Sequence, residues 1–135
     1  MNILFFLIPK EKVAYVDNSA TLRQVLEKMR VHRYTTIPVI THDGKYDGVL
    51  SEGDLLYYMV DQKITTEQTE TINLKKVKRS KVYTPIKIDA NIEDLIDLST
   101  QQNFIPIIDD FNHFIGIVTR KDIILQLKKY LSDHE

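Results

Sequence analysis

One spacing recurs in this chain and constrains it more than anything else. Residues 48–54 read GVLSEGD and residues 116–122 read GIVTRKD, and each run follows a proline, Pro38 or Pro106, ten positions before its glycine. Both halves therefore obey proline, nine residues, glycine, five residues, aspartate. A repeat longer than a supersecondary unit means two similar modules stacked on one another. The chain is read as a duplication, with residues 1–61 as the first copy and its N-terminal segment, 62–81 as a linker and 82–135 as the second copy.

Each copy carries the same order of patterns. In the first, the β-forming run Val13, Ala14, Tyr15, Val16 is closed by the polar turn Asp17-Asn18-Ser19. Thr21 and Gln24 have capping-box spacing, and Leu22, Val25, Leu26 and Met29 follow at helical intervals. A strand spans Tyr34 to Ile40, its proline expected at a strand start or an edge because it cannot donate to a ladder. His42-Asp43-Gly44 supplies a turn, Gly48 to Leu50 the return strand, and Ser51 the cap of a helix carrying Leu55, Leu56 and Met59. The second copy repeats this with a strand in residues 85–89, a helix capped by Asn91 with Ile92, Leu95 and Ile96 inward, and strands in 104–108 and 113–118. Its last helix begins at Thr119 and is expected to bury Ile123, Ile124, Leu127 and Leu131. Asp17 to Pro38 is 21 positions and Asp89 to Pro106 is 17. The second copy has thus lost about one helical turn, a loss that keeps the apolar stripe in phase. The linker offers only Ile64, Ile72, Leu74 and Val77 for burial, with one helical turn expected near Leu74.

Composition excludes several classes of function. With no cysteine among 135 residues, disulfides, thiolate metal sites and cysteine nucleophiles are absent together, and a cytoplasmic setting is expected. The four histidines lie far apart without ligand spacing, so no metal is expected. A net charge of −1 provides no global field for nucleic acid. The basic run Lys75, Lys76, Lys78, Arg79 and Lys81 lacks interleaved aromatics and reads as a solvated linker. The apolar opening, residues 3–9, is far shorter than the roughly 20 residues that span a bilayer, and is expected to fold against the domain. With four glycines there is no phosphate-cradling loop, and no nucleophile elbow or HExxH occurs, so no enzyme is expected.

The strand-helix-strand-strand-helix unit, with TIPVI at 36–40 and GVLSEGD in one copy and FIPIID at 104–109 and GIVTRKD in the other, resembles the cystathionine β-synthase (CBS) domain in tandem. The resemblance covers nearly the whole chain. It implies an α/β (α+β) fold in which two β-α-β-β-α motifs pack about a pseudo-twofold axis as one CBS pair. Such pairs present two clefts, often stack as homodimers, and bind adenosine-containing nucleotides as regulatory switches. KVAYV at 12–16, YTTIPV at 34–39 and GIVTRK at 116–121 also look like segments of small free-standing CBS proteins of Gram-positive bacteria that bind cyclic di-AMP.

Carried over residue by residue, the resemblance implies two composite sites. Cleft A takes Lys12, Ala14, Tyr34, Thr35 and Thr36 together with Thr119, Arg120, Lys121 and Asp122. Cleft B, expected to bind more weakly, takes Tyr83, Thr84, Asn103 and Phe104 together with Ser51 and Asp54. A helix N-terminus with a hydroxyl suits a phosphate, and the family's aspartate accepts ribose hydroxyls. The same spacing of Thr119 with Asp122, and of Ser51 with Asp54, is also that of a helix cap, which alone accounts for both pairs. Lys12, Arg120 and Lys121 bring positive charge to cleft A, where charge-assisted bonds to phosphate are strong. Cleft B has Glu52 where cleft A has Arg120.

The chain is therefore expected to be a regulatory module, not an enzyme and without a cofactor, that binds AMP, ADP or ATP in cleft A. It would act through its own dimer or a protein partner, with neither nucleic acid nor membrane involved. Cyclic di-AMP is the alternative ligand. A purely structural dimerisation module with vestigial clefts is the rival from another class.

Overall fold

The computed structural model describes residues 2–134. Along the chain run β1 (Ile8–Pro9), β2 (Val16–Asp17), α1 (Leu22–His32), β3 (Thr36–Ile40), β4 (Tyr46–Ser51) and α2 (Glu52–Asp61). They are followed by β5 (Ile86–Lys87), α3 (Ile92–Ser99), β6 (Phe104–Ile108), β7 (Phe114–Thr119) and α4 (Arg120–Asp133). The order is β-α-β-β-α twice, with β1 added in front. Two compact units result: Ala14–Val82, and the second copy from Tyr83 onward together with the N-terminal segment through Val13.

In the Ala14–Val82 unit, β3 lies between β2, which it meets in parallel, and β4, which it meets antiparallel. A parallel neighbour needs a crossover, and α1 is that crossover. The helix starts where expected: the Thr21 hydroxyl accepts from the Gln24 N–H and the Gln24 side chain accepts from the Thr21 N–H. It ends at Arg33, whose positive φ of 59° provides the left-handed cap. Leu22, Val25, Ile37, Val39, Leu50 and Leu55 form the core between the helices and the sheet.

Residues 62–81 are more than a connection. Leu74 and Val77 are buried in the same core, and a 3₁₀ turn covers Leu74–Lys76. The Leu22 N–H donates to the Ile72 carbonyl at 2.8 Å, the Leu74 N–H to the Ala20 carbonyl at 2.9 Å, and the Asn73 amide to the Ser19 carbonyl at 2.9 Å. These bonds fasten the segment to the start of α1, so it belongs to the first unit.

In the other unit the sheet order is β1-β7-β6-β5. The N-terminal segment, expected with the first copy, instead adds β1 to the edge of the second copy's sheet, pairing Ile8 with Ile117 and Pro9 with Gly116. Ile3, fully buried, joins Leu95, Ile105, Ile107, Val118 and Ile123 in the core. Burying a side chain of that size stabilises by about 1.5–3 kcal/mol, which is what holds the segment down. Helix α3 has 8 residues against 11 in α1, the shortening expected from the spacing.

Two expectations need correction. Pro38 and Pro106 occupy neither a strand start nor an edge strand; they sit inside the central strands β3 and β6. Each tolerates its missing donor because β2 pairs only from Val39 onward and β5 only from Ile107 onward, so the strand is locally unpaired on that side. In α4 only Ile123 is buried, whereas Ile124, Leu127 and Leu131 are 54%, 41% and 64% exposed. Leu56 of α2 is also exposed. The 14 residues of α4 extend about 21 Å, while the 8 residues of α3 beside it extend about 12 Å, so the later turns outrun their partner in the unit.

Candidate functional site

Ser51 with Asp54, and Thr119 to Asp122, lie at the strand-to-helix junction of each unit, whereas Lys12, Ala14, Tyr83 and Thr84 precede β2 or β5 and Tyr34, Thr35 and Asn103 precede the central strands. In the first unit, β3 and β4 pair so that Thr36 faces Ser51. The Glu52 N–H donates to the Thr35 carbonyl at 2.9 Å, which ties the residues before Pro38 to the first turn of α2. Ser51 caps that helix, its hydroxyl accepting from the Asp54 N–H at 3.2 Å while its own N–H donates to Asp54 Oδ2 at 3.3 Å. Thr36, Ser51 and Asp54 are all buried.

The second unit repeats the junction. Phe104 pairs with Thr119, the Arg120 N–H donates to the Asn103 carbonyl at 2.9 Å, and the Thr119 hydroxyl accepts from the Asp122 N–H at 3.2 Å. Tyr83 packs edge-on against Phe104 with ring centroids 4.9 Å apart, and its hydroxyl donates to Asn103 Oδ1 at 2.9 Å. Lys12 and Lys121 are exposed. The cap and a ligand role are compatible, because capping uses the Thr119 oxygen as acceptor and leaves the hydroxyl proton free to donate.

Aligning the copies on their strand ladders reveals an equivalence that residue-by-residue reading missed. Val16 pairs with Val39 and Ile86 with Ile107, so Ala14 corresponds to Thr84 and Tyr34 to Gln102. Both pairs do the same work. The Ala14 N–H donates to the Tyr34 hydroxyl at 3.4 Å, and the Thr84 N–H donates to Gln102 Oε1 at 2.7 Å. Gln102 also donates to the carbonyls of Thr84 at 3.1 Å and Phe104 at 3.2 Å. It is 3% exposed, a buried amide that orders the entry to β5. Counting four positions back from each proline would have found it.

The two aspartates differ sharply in what surrounds them. Asp54 Oδ1 accepts from the Ser80 N–H at 3.1 Å and from the Ser80 hydroxyl at 2.6 Å. Burial works to raise the Asp54 carboxyl, but the hydrogen bonds from Ser80 and Ser51 outweigh it and hold it below the usual aspartate range. Asp122 is half-buried, and its carboxylate has no hydrogen-bond partner among the described residues. The cations also differ from expectation. Arg120 is partly committed, its Nε donating to the Ser99 carbonyl near the end of α3 at 2.7 Å. Arg79, expected as part of a solvated run, pairs with Asp47 at 3.2 Å, while Lys75, Lys76 and Lys78 are exposed.

Comparison with known proteins agrees with this architecture. The CBS domain family model matches residues 7–61 and 75–129. A crystal structure of CbpB in complex with c-di-AMP superposes with a TM-score of 0.86 at 27% identity, covering 99% of this chain and 89% of that one. CBSX2 in complex with AMP superposes with a TM-score of 0.72 at 26% identity, covering 94% and 98%. An uncharacterized protein of Methanocaldococcus jannaschii is 29% identical over 87% of this chain and 86% of its own length. No helix among the described residues is long and apolar enough to cross a membrane. With two matched domains that together span most of its length, the chain belongs to the CBS domain family as a tandem pair.

Proposed function

We propose that this CBS pair is a non-catalytic regulatory module that binds an adenine nucleotide through Thr119, Lys121 and Asp122, with Lys12 of the same unit adding positive charge. The observation that carries the reading is the contrast between the two aspartates: Asp54 is satisfied by Ser80, whereas the Asp122 carboxylate has no partner among the described residues. A half-buried carboxylate beside a helix N-terminus suits a ribose hydroxyl next to a phosphate, the hydroxyl donating to the acid and the phosphate accepting from backbone N–H groups. Arg120 acts chiefly through the Ser99 carbonyl and positions the first turn of α4; Lys121 and Lys12, both exposed, supply the positive charge.

Both relatives named with a bound ligand hold an adenine nucleotide, AMP in CBSX2 and c-di-AMP in CbpB. AMP, ADP or ATP is the reading that Asp122 favours, because a mononucleotide offers both the 2′ and 3′ hydroxyls, while the 3′ oxygens of cyclic di-AMP are tied up in phosphodiester bonds. Cyclic di-AMP is the second reading, favoured by the high structural likeness to CbpB. Binding shifts the population of conformations, by no more than the ligand's differential affinity for them. The output passes to a protein partner or a dimer mate. Thermal melting with a panel of adenine nucleotides tests the proposal, since a ligand at a hundred times its Kd adds about 2.7 kcal/mol of stability. An unchanged melting temperature with every member of the panel supports the structural module instead.

A further inference from the structure

We infer that the groove between α3 and α4 is a docking site for a short segment of a partner protein, apolar on one side and carrying a lysine or arginine, seated as residues 64–72 are seated on the equivalent groove of the first copy. No residue of this groove is among those proposed to hold the nucleotide, so the inference stands apart from that reading.

The duplication supplies the template. Gly48 and Asp54 match Gly116 and Asp122, so Tyr58 and Met59 of α2 match Gln126 and Leu127 of α4, and the caps Thr21 and Asn91 align α1 with α3. In the first copy the chain leaves α2, turns at Lys63 with a φ of 54°, and returns over the two helices. The Ile64 N–H donates to the Met59 carbonyl at 2.8 Å, and at the far end the Leu22 N–H donates to the Ile72 carbonyl at 2.8 Å. Between them a 3₁₀ turn at Glu67–Glu70 lies on α1, Thr69 is 1% exposed, and Ile72 and Tyr58 pack against the core. Leu22 is fully buried beneath this cover.

The second copy has no such cover among the described residues. Apart from Phe6, its groove is lined by α3, α4 and the residue that follows α4. Ile92, the counterpart of Leu22, is only half-buried, and Leu127 is 41% exposed. Gln126 stands where the first copy has the ring of Tyr58. The result is a cavity of about 560 Å³ over a floor of Leu95 and Ile123, with Tyr130 and His134 stacked at 4.1 Å along one end. An open apolar surface of this kind marks an interaction site.

Charge sets the occupant. In the first copy Arg23 meets Glu70 of the covering segment at 2.6 Å. Its counterpart on α3 is Glu93, so the sign there is reversed, and Asp94, Asp97 and Asp133 add to it against Lys129. The three α3 carboxylates have no ion pair among the described residues. A segment with a lysine or arginine in the place of Glu70 complements them, and an acidic one does not.

Fluorescence anisotropy on the full chain tests this with two labelled peptides, one with the sequence of residues 64–72 and one carrying Glu67→Gln and Glu70→Lys. The lysine peptide is expected to bind about 3-fold or more tightly than the unaltered one, an attraction between exposed charges replacing a repulsion, and Glu93→Arg in the protein is expected to remove that preference. Leu127→Arg, at a position already exposed, is expected to weaken the lysine peptide about 10-fold or more. Gln126→Tyr, which restores the first copy's ring, is expected to weaken it too. Lack of binding by both peptides, or binding that ignores Leu127→Arg and Gln126→Tyr, overturns the inference. So does sedimentation equilibrium that finds a dimer dissociated by Leu127→Arg while neither peptide binds, since the groove then belongs to a second copy. Failure of nucleotide binding leaves the peptide result standing, so the two readings fail separately.

Discussion

Gly116 is where a single methyl group should undo the attachment of the N-terminal segment. A Cβ there would lie 2.2 Å from the Ile8 carbonyl oxygen, 2.8 Å from Leu7 Cδ1 and 3.1 Å from the Ile8 carbonyl carbon. The nearest atom is backbone and cannot rotate away, so β1 must separate from β7. Separation gives up the short β1–β7 ladder and exposes Ile3, now fully buried. Losing that burial costs about 1.5–3 kcal/mol, and losing one or two ladder hydrogen bonds costs about 0.5–1.5 kcal/mol each. Gly116→Ala should therefore destabilise by about 2–6 kcal/mol, the lower end applying where the segment finds other cover. Urea unfolding of Gly116→Ala, Ile3→Ala and the double variant measures it. If the segment leaves, Ile3 is already out of the core in Gly116→Ala, and the second substitution adds little. Full additivity of the two losses would refute the detachment. The equivalent Gly48 has only the Arg79 guanidinium at 3.4 Å, and its φ of +93° makes Gly48→Ala a matter of local backbone strain, with no element displaced.

Leu22→Ala and Leu95→Ala each empty a fully buried site and should cost about 2–5 kcal/mol by denaturant unfolding, one in each unit. Thr21→Ala removes a reciprocal capping box and should cost about 1 kcal/mol, read by the same method. Asp54 has a depressed carboxyl pKa in the folded chain, so its stabilising contribution is complete above the unfolded value near 3.9 and is lost as pH falls through the lower folded value. The stability gap between the original chain and Asp54→Asn should accordingly be widest at neutral pH and narrow below about pH 4. In direct binding, Lys121→Ala should weaken nucleotide affinity in a salt-sensitive way, whereas Glu52→Ala should leave it unchanged.

Much of the fold was legible because duplication shows every signal twice. The proline-glycine-aspartate spacing located both hairpins and the starts of α2 and α4, and Thr21 with Gln24 marked the start of α1 as a capping box. Helix burial was less legible. Ile124, Leu127 and Leu131 lie on a helical stripe, but a stripe says only which face is apolar, not whether a partner helix is long enough to cover it. The destination of residues 2–13 was hidden for a similar reason: Ile8 meets Ile117 across more than a hundred positions, and nothing local to either announces the pairing. At the site, Ser51 and Asp54 stood out by spacing, but Ser80 did not, being one polar residue in a polar linker. Gln102 was recoverable only by registering the copies against each other, since its role depends on backbone it meets 18 positions away.

The most direct test is calorimetric titration of the original chain and of Asp122→Ala with AMP, ATP and cyclic di-AMP. Loss of a hydrogen bond to a charged group, about 1.5–3 kcal/mol, predicts that AMP or ATP binds the original chain and that Asp122→Ala weakens it by about 10- to 150-fold. Cyclic di-AMP should lose less. Tight cyclic di-AMP binding that ignores the substitution, with no mononucleotide binding, would contradict the assignment of Asp122 as the ribose acceptor.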